Sequence, residues 1–287
     1  MSGRRRPRTV ILGSGIVLLF FAVAFAVYVG VAAKPAGSAP LSQATADSST
    51  LVDCGDMAFP PVEFYTANHQ PTGAEIDILK SAATMLHKKL VVHQIQFNGI
   101  IAALLSKQCD ILAAGIFHTS ERAKVAHYIL YATNGQGMVV RKGNPAKITG
   151  LNASAAGKRL GMTSGYSTIP GIKAGCHKLA KQGLKPCTIV LFPSPTDNVN
   201  ALLQDKTDAA VDSTTAVSYY AKINHNLQVA NPNVLPKSLV GFLVRKNDPA
   251  LIAGMQRVVN TLYKNGGMCK ILNKYGIGVT ALPGHHC

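Results

Sequence analysis

From residue 51 onward, short apolar runs alternate with segments whose apolar residues recur every three to four positions, and no other feature constrains the fold as tightly. LVDCG is strand-like. EIDILKSAATMLHKKL places Ile76, Leu79, Ala83, Leu86 and Leu90 on one face of a helix. LVVHQIQF reads as a strand, NGIIAALLSKQ as a helix and CDILAAGI as a strand. This βαβαβ order predicts a mostly parallel sheet with both faces covered. A second block of the same kind runs over residues 155–230, with strands in KRLGMTSG, TIVLF and DAAVDS and a helix in DNVNALLQDK. ALLSKQCD, ending at Asp110, and ALLQDKTD, ending at Asp208, share Ala-Leu-Leu followed by Asp before a strand. The echo suggests two similar α/β lobes. The tail reads as a strand and two helices, with Asn247-Asp248-Pro249 as a helix start and Gly266-Gly267 as the break.

An apolar fraction of 47% over 287 residues supports a real core and argues against global disorder. The net charge is +16. Residues 1–46 contribute Arg4, Arg5, Arg6, Arg8 and Lys34 and no acid, and beyond them the lysines are scattered. No basic run interleaved with aromatics occurs past the N-terminus, which argues against a nucleic-acid partner.

Residues 10–33 carry no charge. At about 1.5 Å per residue they are long enough to cross a bilayer core of ~30 Å, and longer than a signal h-region of roughly 7–15 residues. Residues 1–33 therefore read as a basic cytoplasmic start plus a membrane anchor, with Val31-Ala32-Ala33 and Ala44-Thr45-Ala46 as cleavage sites if the segment is instead a signal peptide. Either way the rest is expected at the extracytoplasmic face or in the periplasm, anchored or secreted. Residues 34–50 form a Pro/Ala/Ser linker. The six cysteines agree with export. Cys176 with Cys187 and Cys269 with Cys287 are candidate disulfides, and Cys54 and Cys109 either pair or remain buried thiols. His285-His286-Cys287 reads as a frayed tail rather than a metal site, and no cofactor is expected.

AAGIFHTSERAK holds an electrostatic oddity. A strand-like run stops at Gly115, and Thr119 and Ser120 are suited to cap a helix N-terminus. Arg122 falls in the first turn, where the helix dipole disfavours a cation by a few tenths of a kcal/mol up to about 1 kcal/mol. A guanidinium beside free N–H groups makes sense if an anion sits between them.

LVDCGDMAFPPVEF, GAEIDIL, FNGIIAALLSKQCDILAAGIFHTSERAK, GKRLGMTSGYS and the tail resemble, in order and spacing, the bacterial family 3 solute-binding proteins. These are the amino-acid receptors of ATP-driven (ABC) importers. The resemblance implies an α/β fold of the two-lobe type II periplasmic-binding kind, with two mixed sheets joined by two hinge crossovers. Lobe 1 would take residues 51–137 and 238–287, and lobe 2 residues 138–237. The hinge would lie near Gly135-Gln136-Gly137 and Pro236-Lys237-Ser238. Arg122 matches the arginine that grips the ligand's α-carboxylate, helped by backbone N–H groups of residues 117–119. Asp56 matches an acid facing ligand polar groups, and Phe59 and Phe97 match aromatic walls. Gly115 and Thr119 match positions flanking the carboxylate. Thr163, Gly165, Tyr166 and Ser167 match the lobe 2 loop that caps it.

Two departures stand out. Phe117 replaces the hydroxyl residue that relatives use on the carboxylate. The acid that accepts from the ligand's ammonium falls by count on Ser213, with Asp212 one residue earlier, and adjacent strand residues face opposite ways.

The resemblance implies a binding protein that delivers an amino acid or similar small carboxylate to importer subunits in the membrane. One alternative is a dehydratase-like enzyme of the cyclohexadienyl dehydratase type, for which Asp56, Asp212 and then Glu63 are the candidate acids. GMTSGYS lacks the spacing of a nucleophile elbow. Another is a membrane-tethered sensing domain; only MSGRRRPR precedes the apolar segment, so signalling would need a partner. Ligand charge stays open, because the basic chain favours an acidic ligand and Asp56 a basic one.

Overall fold

A computed structural model of the protein describes residues 49–287. The proposed anchor or signal segment and nearly all of the linker lie outside the described residues. Among the described residues no helix is long and apolar enough to cross a membrane.

The first half begins with β1 (Thr50–Gly55) and a small meander of β2 (Ala58–Phe59), β3 (Glu63–Tyr65) and β4 (Pro71–Thr72). It continues through α1 (Ala74–Met85), β5 (Lys89–Gln94), α2 (Ile100–Leu105), β6 (Ile111–Leu112) and α3 (Ser120–Val125). The long β7 (His127–Arg141) leads into the second half. There β8 (Arg159–Thr163), α4 (Ile169–Lys181), β9 (Thr188–Phe192), α5 (Pro195–Leu203), β10 (Ala209–Ser213) and α6 (Thr214–Ile223) follow. β11 (Leu227–Val244) returns, and α7 (Pro249–Lys264) and α8 (Gly267–Lys274) pack on the first half.

β1 pairs in parallel with β5 and β6, and β8 with β9 and β10, as the alternation predicts. The two expected mixed sheets are present as two sets of strands, joined through the crossover strands β7 and β11. The strands form one eight-stranded sheet, β5-β1-β6-β11-β7-β10-β8-β9, beside the three-stranded meander. The reason is that β7 and β11 pair antiparallel from Leu227 opposite Arg141 to Val244 opposite His127, so hydrogen bonding runs through both halves. Their register slips between Val229 and Asn231, again before Leu235 and again before Ser238. Gly135 and Gly137 lie on β7 opposite this irregular stretch. Neither β7 nor α6 is legible as an element in the sequence. Asn134-Gly135 and Gly137 interrupt the apolar pattern of β7, and pairing with β11 on one side and β10 on the other makes the stretch a strand.

Successive residues of β1 face opposite layers. Leu51 joins a core with Ile78 and Leu79 of α1 and Met255 and Val258 of α7, whereas Val52 and Cys54 join one with Ile100 and Leu104 of α2. In the second half α4 covers one face through Ile172 and Leu179, and α5 and α6 the other through Val199, Leu202 and Val217.

The repeated pattern corresponds to a repeated device. Asp110 accepts from the Val52 backbone N–H at 3.0 Å, and Asp208 accepts from the Arg159 backbone N–H at 2.7 Å. Each aspartate thus ties the strand following its helix to the first strand of its own half. Lys107 and Asp205 turn the chain with φ of 64° and 59°, ending α2 and α5 at matching places.

All six cysteines pair: Cys54–Cys109, Cys176–Cys187 and Cys269–Cys287. The tail is docked, not frayed. Besides its disulfide, the Cys287 carbonyl accepts from Asn273 at 3.0 Å, and the His285 ring stacks on Tyr263 at 3.9 Å. Among the described residues no cluster suited to a metal ion occurs. Cys54–Cys109 spans 55 residues and Cys176–Cys187 only 11. Loop-closure entropy then assigns about 4 kcal/mol to the first and about 3 kcal/mol to the second. In urea unfolding, the paired Cys54→Ala and Cys109→Ala variant is expected to lose more stability than the Cys176→Ala and Cys187→Ala variant, by about 1 kcal/mol.

Candidate functional site

A cleft opens where the two halves meet, at the C-terminal ends of β1, β6, β8 and β10. Phe59, Phe97 and Phe117 supply three aromatic walls from the first half. Tyr166, Ser167 and Asp212 face them from the second. Gln136, on β7, lies at the crossover between them. Gly115 has φ of +58°, and its Cα lies so close to the Phe59 ring that a Cβ would collide with it. The side chains leave only about 20 Å³ open, room for about one water.

Arg122 is placed by a cap. Thr119 Oγ1 accepts from the Arg122 backbone N–H at 3.1 Å, which starts α3 and sets the guanidinium at the cleft. Ser120, the other candidate cap, instead donates its hydroxyl to Glu121 at 3.0 Å. Arg122 Nη1 donates to the Phe117 carbonyl at 3.2 Å and Nη2 to the Gly165 carbonyl, on the opposite half, at 3.3 Å. The guanidinium lies 5.7 Å from the Phe97 ring centre, within cation–π range. None of the ion pairs among the described residues includes it. Burial pulls its pKa below the ordinary value.

Asp212 and Ser213 both line the cleft, for different reasons. β10 ends at Ser213, whose Oγ caps α6 by accepting from the Ala216 N–H at 3.2 Å, so strand alternation no longer separates the two side chains. Asp212 accepts from the Ser213 N–H at 2.6 Å and from the Tyr166 hydroxyl at 3.2 Å. Burial raises the Asp212 pKa to about 7, against the pull of these bonds, and the charge of Asp56 adds to the rise. Asp56 is 4% exposed, and its Oδ2 has no hydrogen-bond partner. Burial and then the charge of Asp197 raise its pKa to about 7. Behind the first wall, Asp53, Glu63 and Glu75 are fully buried. Glu75 accepts from the Gly115 N–H at 2.9 Å and the Tyr131 hydroxyl at 2.8 Å, so this acid layer braces the floor of the cleft.

Of the residues singled out from sequence, Phe59, Phe97, Gly115, Phe117, Arg122, Tyr166, Ser167, Asp212 and Ser213 converge on the cleft. Asp56 lies just outside its lining. Thr119 acts through its cap, and Thr163 is buried at the end of β8. Of the three amides expected to face a carboxylate over residues 117–119, that of His118 is turned away. The His118 N–H donates to the Leu239 carbonyl at 2.8 Å and is spent on the sheet. Sequence reasoning missed Gln136 and Thr168, whose buried Oε1 and Oγ1 have no hydrogen-bond partner. The signal for Gln136 was present, a polar residue between two glycines.

A cleft of this kind, with a cationic fork on one half and an acid on the other, defines a two-lobed solute-binding protein. The chain belongs to the bacterial extracellular solute-binding proteins, family 3, whose model matches residues 51–278. Among curated relatives, ABC transporter arginine-binding protein 1 of Escherichia coli (strain K12) is 23% identical over 222 residues, covering 76% of this chain and 86% of its own. The L-cystine-binding protein TcyJ of the same strain is 22% identical over 261 residues, covering 90% and 94%. Among solved structures, a mutant of ArgBP from T. maritima superposes with a TM-score of 0.70 at 26% identity, covering 79% of this chain and 95% of that one.

Proposed function

We propose that the cleft captures a basic amino acid and that the protein hands it to the membrane subunits of an ABC importer on the extracytoplasmic side. The observation that carries this reading is that Arg122 and Asp212, from opposite halves, line one aromatic-walled cavity. The guanidinium fork suits an α-carboxylate, which would replace the Phe117 and Gly165 carbonyls as acceptor. Asp212 suits the α-ammonium. Asp56, a second buried acid with an unpartnered oxygen, then favours a cationic side chain over an acidic one. The arginine- and cystine-binding relatives support an amino-acid ligand. The halves would part and close at Gly135-Gln136-Gly137 and at the irregular stretch of β11.

Calorimetric titration of the full chain tests the assignment. L-arginine is expected to bind at least a hundredfold tighter than L-glutamate, and the reverse order would overturn it. Asp56 and Asp212, with pKa values raised to about 7, also meet one requirement of a dehydratase. Turnover of prephenate by the purified chain would replace the transport reading.

A further inference from the structure

A second cavity, of about 410 Å³, lies at the crossover and shares no lining residue with the cleft. Its size falls within the ~300–1,000 Å³ usual for small-molecule sites. Asn134 and Gly135 on β7 contribute to it, with Thr214 and Thr215 at the start of α6 on one side and residues that follow α8 on the other. Gly135 is needed there, because a Cβ would sit 2.8 Å from Thr214 Oγ1.

The lining is cationic and apolar together. Lys222, Lys237 and Lys274 contribute, and no Asp or Glu does. Lys274 is committed to Asp77 at 2.6 Å. Among the described residues Lys222 and Lys237 enter no ion pair. Ile223 and Val279, 57% and 84% exposed, stand in the same lining with Tyr219. Exposed apolar surface beside unpaired ammonium groups is complementary to a molecule with one anionic end and one apolar end.

The cavity is also wired to the cleft. Ser213, in the cleft, lies 3.0 Å through its Oγ from Thr215 Oγ1, and Asn134 Nδ2 donates to that same atom at 2.9 Å. A smaller cavity between them shares Gly115 with the cleft and Thr133, Asn134 and Thr215 with the second cavity.

We propose that this cavity is a second ligand site for a small organic carboxylate with an aromatic or aliphatic body. The carboxylate sits between Lys222 and Lys237, and the apolar body lies on Tyr219, Ile223 and Val279. The site touches α6 and β11 on one side and the segment after α8 on the other, so its occupancy alters the affinity of the cleft, and the cleft alters it reciprocally. The coupling rests on the amino-acid reading of the cleft; the site itself does not.

The test is a ¹⁹F NMR titration of the full chain with 4-fluorophenylacetate. Saturable binding is expected. The exposed pair Lys222→Glu and Lys237→Glu should weaken it at least tenfold with an unchanged melting temperature, and Arg122→Ala should leave it within twofold. Saturating L-arginine should shift the probe's Kd at least twofold. Absence of saturation, or insensitivity to the lysine pair, overturns the site. Loss of the probe in Arg122→Ala alone places it in the cleft and overturns the site as well. An unchanged Kd with L-arginine bound overturns the coupling. If the chain binds no amino acid, the cleft reading fails while the probe titration still decides the second site.

Discussion

Replacing Arg122 by alanine is expected to raise the Kd for the bound amino acid at least about 100-fold, equivalent to about 2.7 kcal/mol, with little change in the fold. The fork now donates to two backbone carbonyls, those of Phe117 and Gly165. Neither is an anion, and none of the ion pairs among the described residues offsets the half-buried charge. A ligand carboxylate would offset it with two charge-assisted hydrogen bonds, and removing one partner of such a pair costs roughly 2–5 kcal/mol. Phe117 makes the loss larger, because no hydroxyl at that position shares the carboxylate. Arg122→Lys keeps the charge and loses the planar fork, so an intermediate loss of about tenfold is expected. Calorimetry with L-arginine measures both variants, and circular dichroism checks the fold. A Kd within threefold of the unaltered chain in Arg122→Ala would mean that the carboxylate is held elsewhere.

The second large effect is an inverted response to acid. Most proteins lose stability as carboxylates are protonated, yet this one is expected to gain melting temperature as the pH falls from about 8 to about 5. Asp56, Glu75 and Asp212 each have a pKa of about 7 in the folded chain, raised chiefly by burial. Asp53 and Glu63 are raised well above their ordinary values, also by burial first and then by neighbouring acids. A carboxyl group with a raised folded-state pKa binds more protons folded than unfolded. Its stabilising contribution is complete below about 4 and is lost as the pH climbs through about 7. For Asp212 alone, a rise from 3.8 to about 7 corresponds to about 4 kcal/mol. The contributions of Asp53, Glu63 and Glu75 do not add, because each acid raises the next. Melting curves across this range, with Asp212→Asn beside the unaltered chain, measure the effect; the variant should show a smaller rise. A melting temperature that stays flat or falls toward pH 5 would sink this account. Affinity should move the other way, because a cationic ligand needs Asp212 and Asp56 ionised, so binding of L-arginine is expected to strengthen as the pH rises through 7.

How much was legible beforehand follows from the range of the interactions. Hydrophobic periodicity is local, so α1, α7 and the parallel strands could be read from residues close together in the chain. The helical face read there runs on to Leu90, however, which lies in β5 beyond the end of α1 at Met85. Caps are local too, which is why Thr119 and Asp248 mark the starts of α3 and α7. The Ala-Leu-Leu-to-Asp echo was visible as a pattern, and its use, tying Asp110 to Val52 and Asp208 to Arg159, is a long-range bond that no window contains. The same holds for the pairing of Cys54 with Cys109 and for β7, whose glycines interrupt the apolar pattern until β10 and β11 lie beside them.

The candidate site divides along the same line. The cation in a helix first turn singled out Arg122, and the resemblance to the family nominated Phe59, Phe97 and Tyr166. Whether Asp212 or Ser213 faced the cleft depended on where β10 stops, and that is set by Ser213 capping α6. Gln136 reaches the cleft only because two long strands cross there. The sequence by itself determined the alternation of elements, their caps and the chemistry available. The tertiary structure alone decided which distant side chains share a low-dielectric space, because burial and charge proximity, unlike periodicity, arise only once the halves of the chain meet.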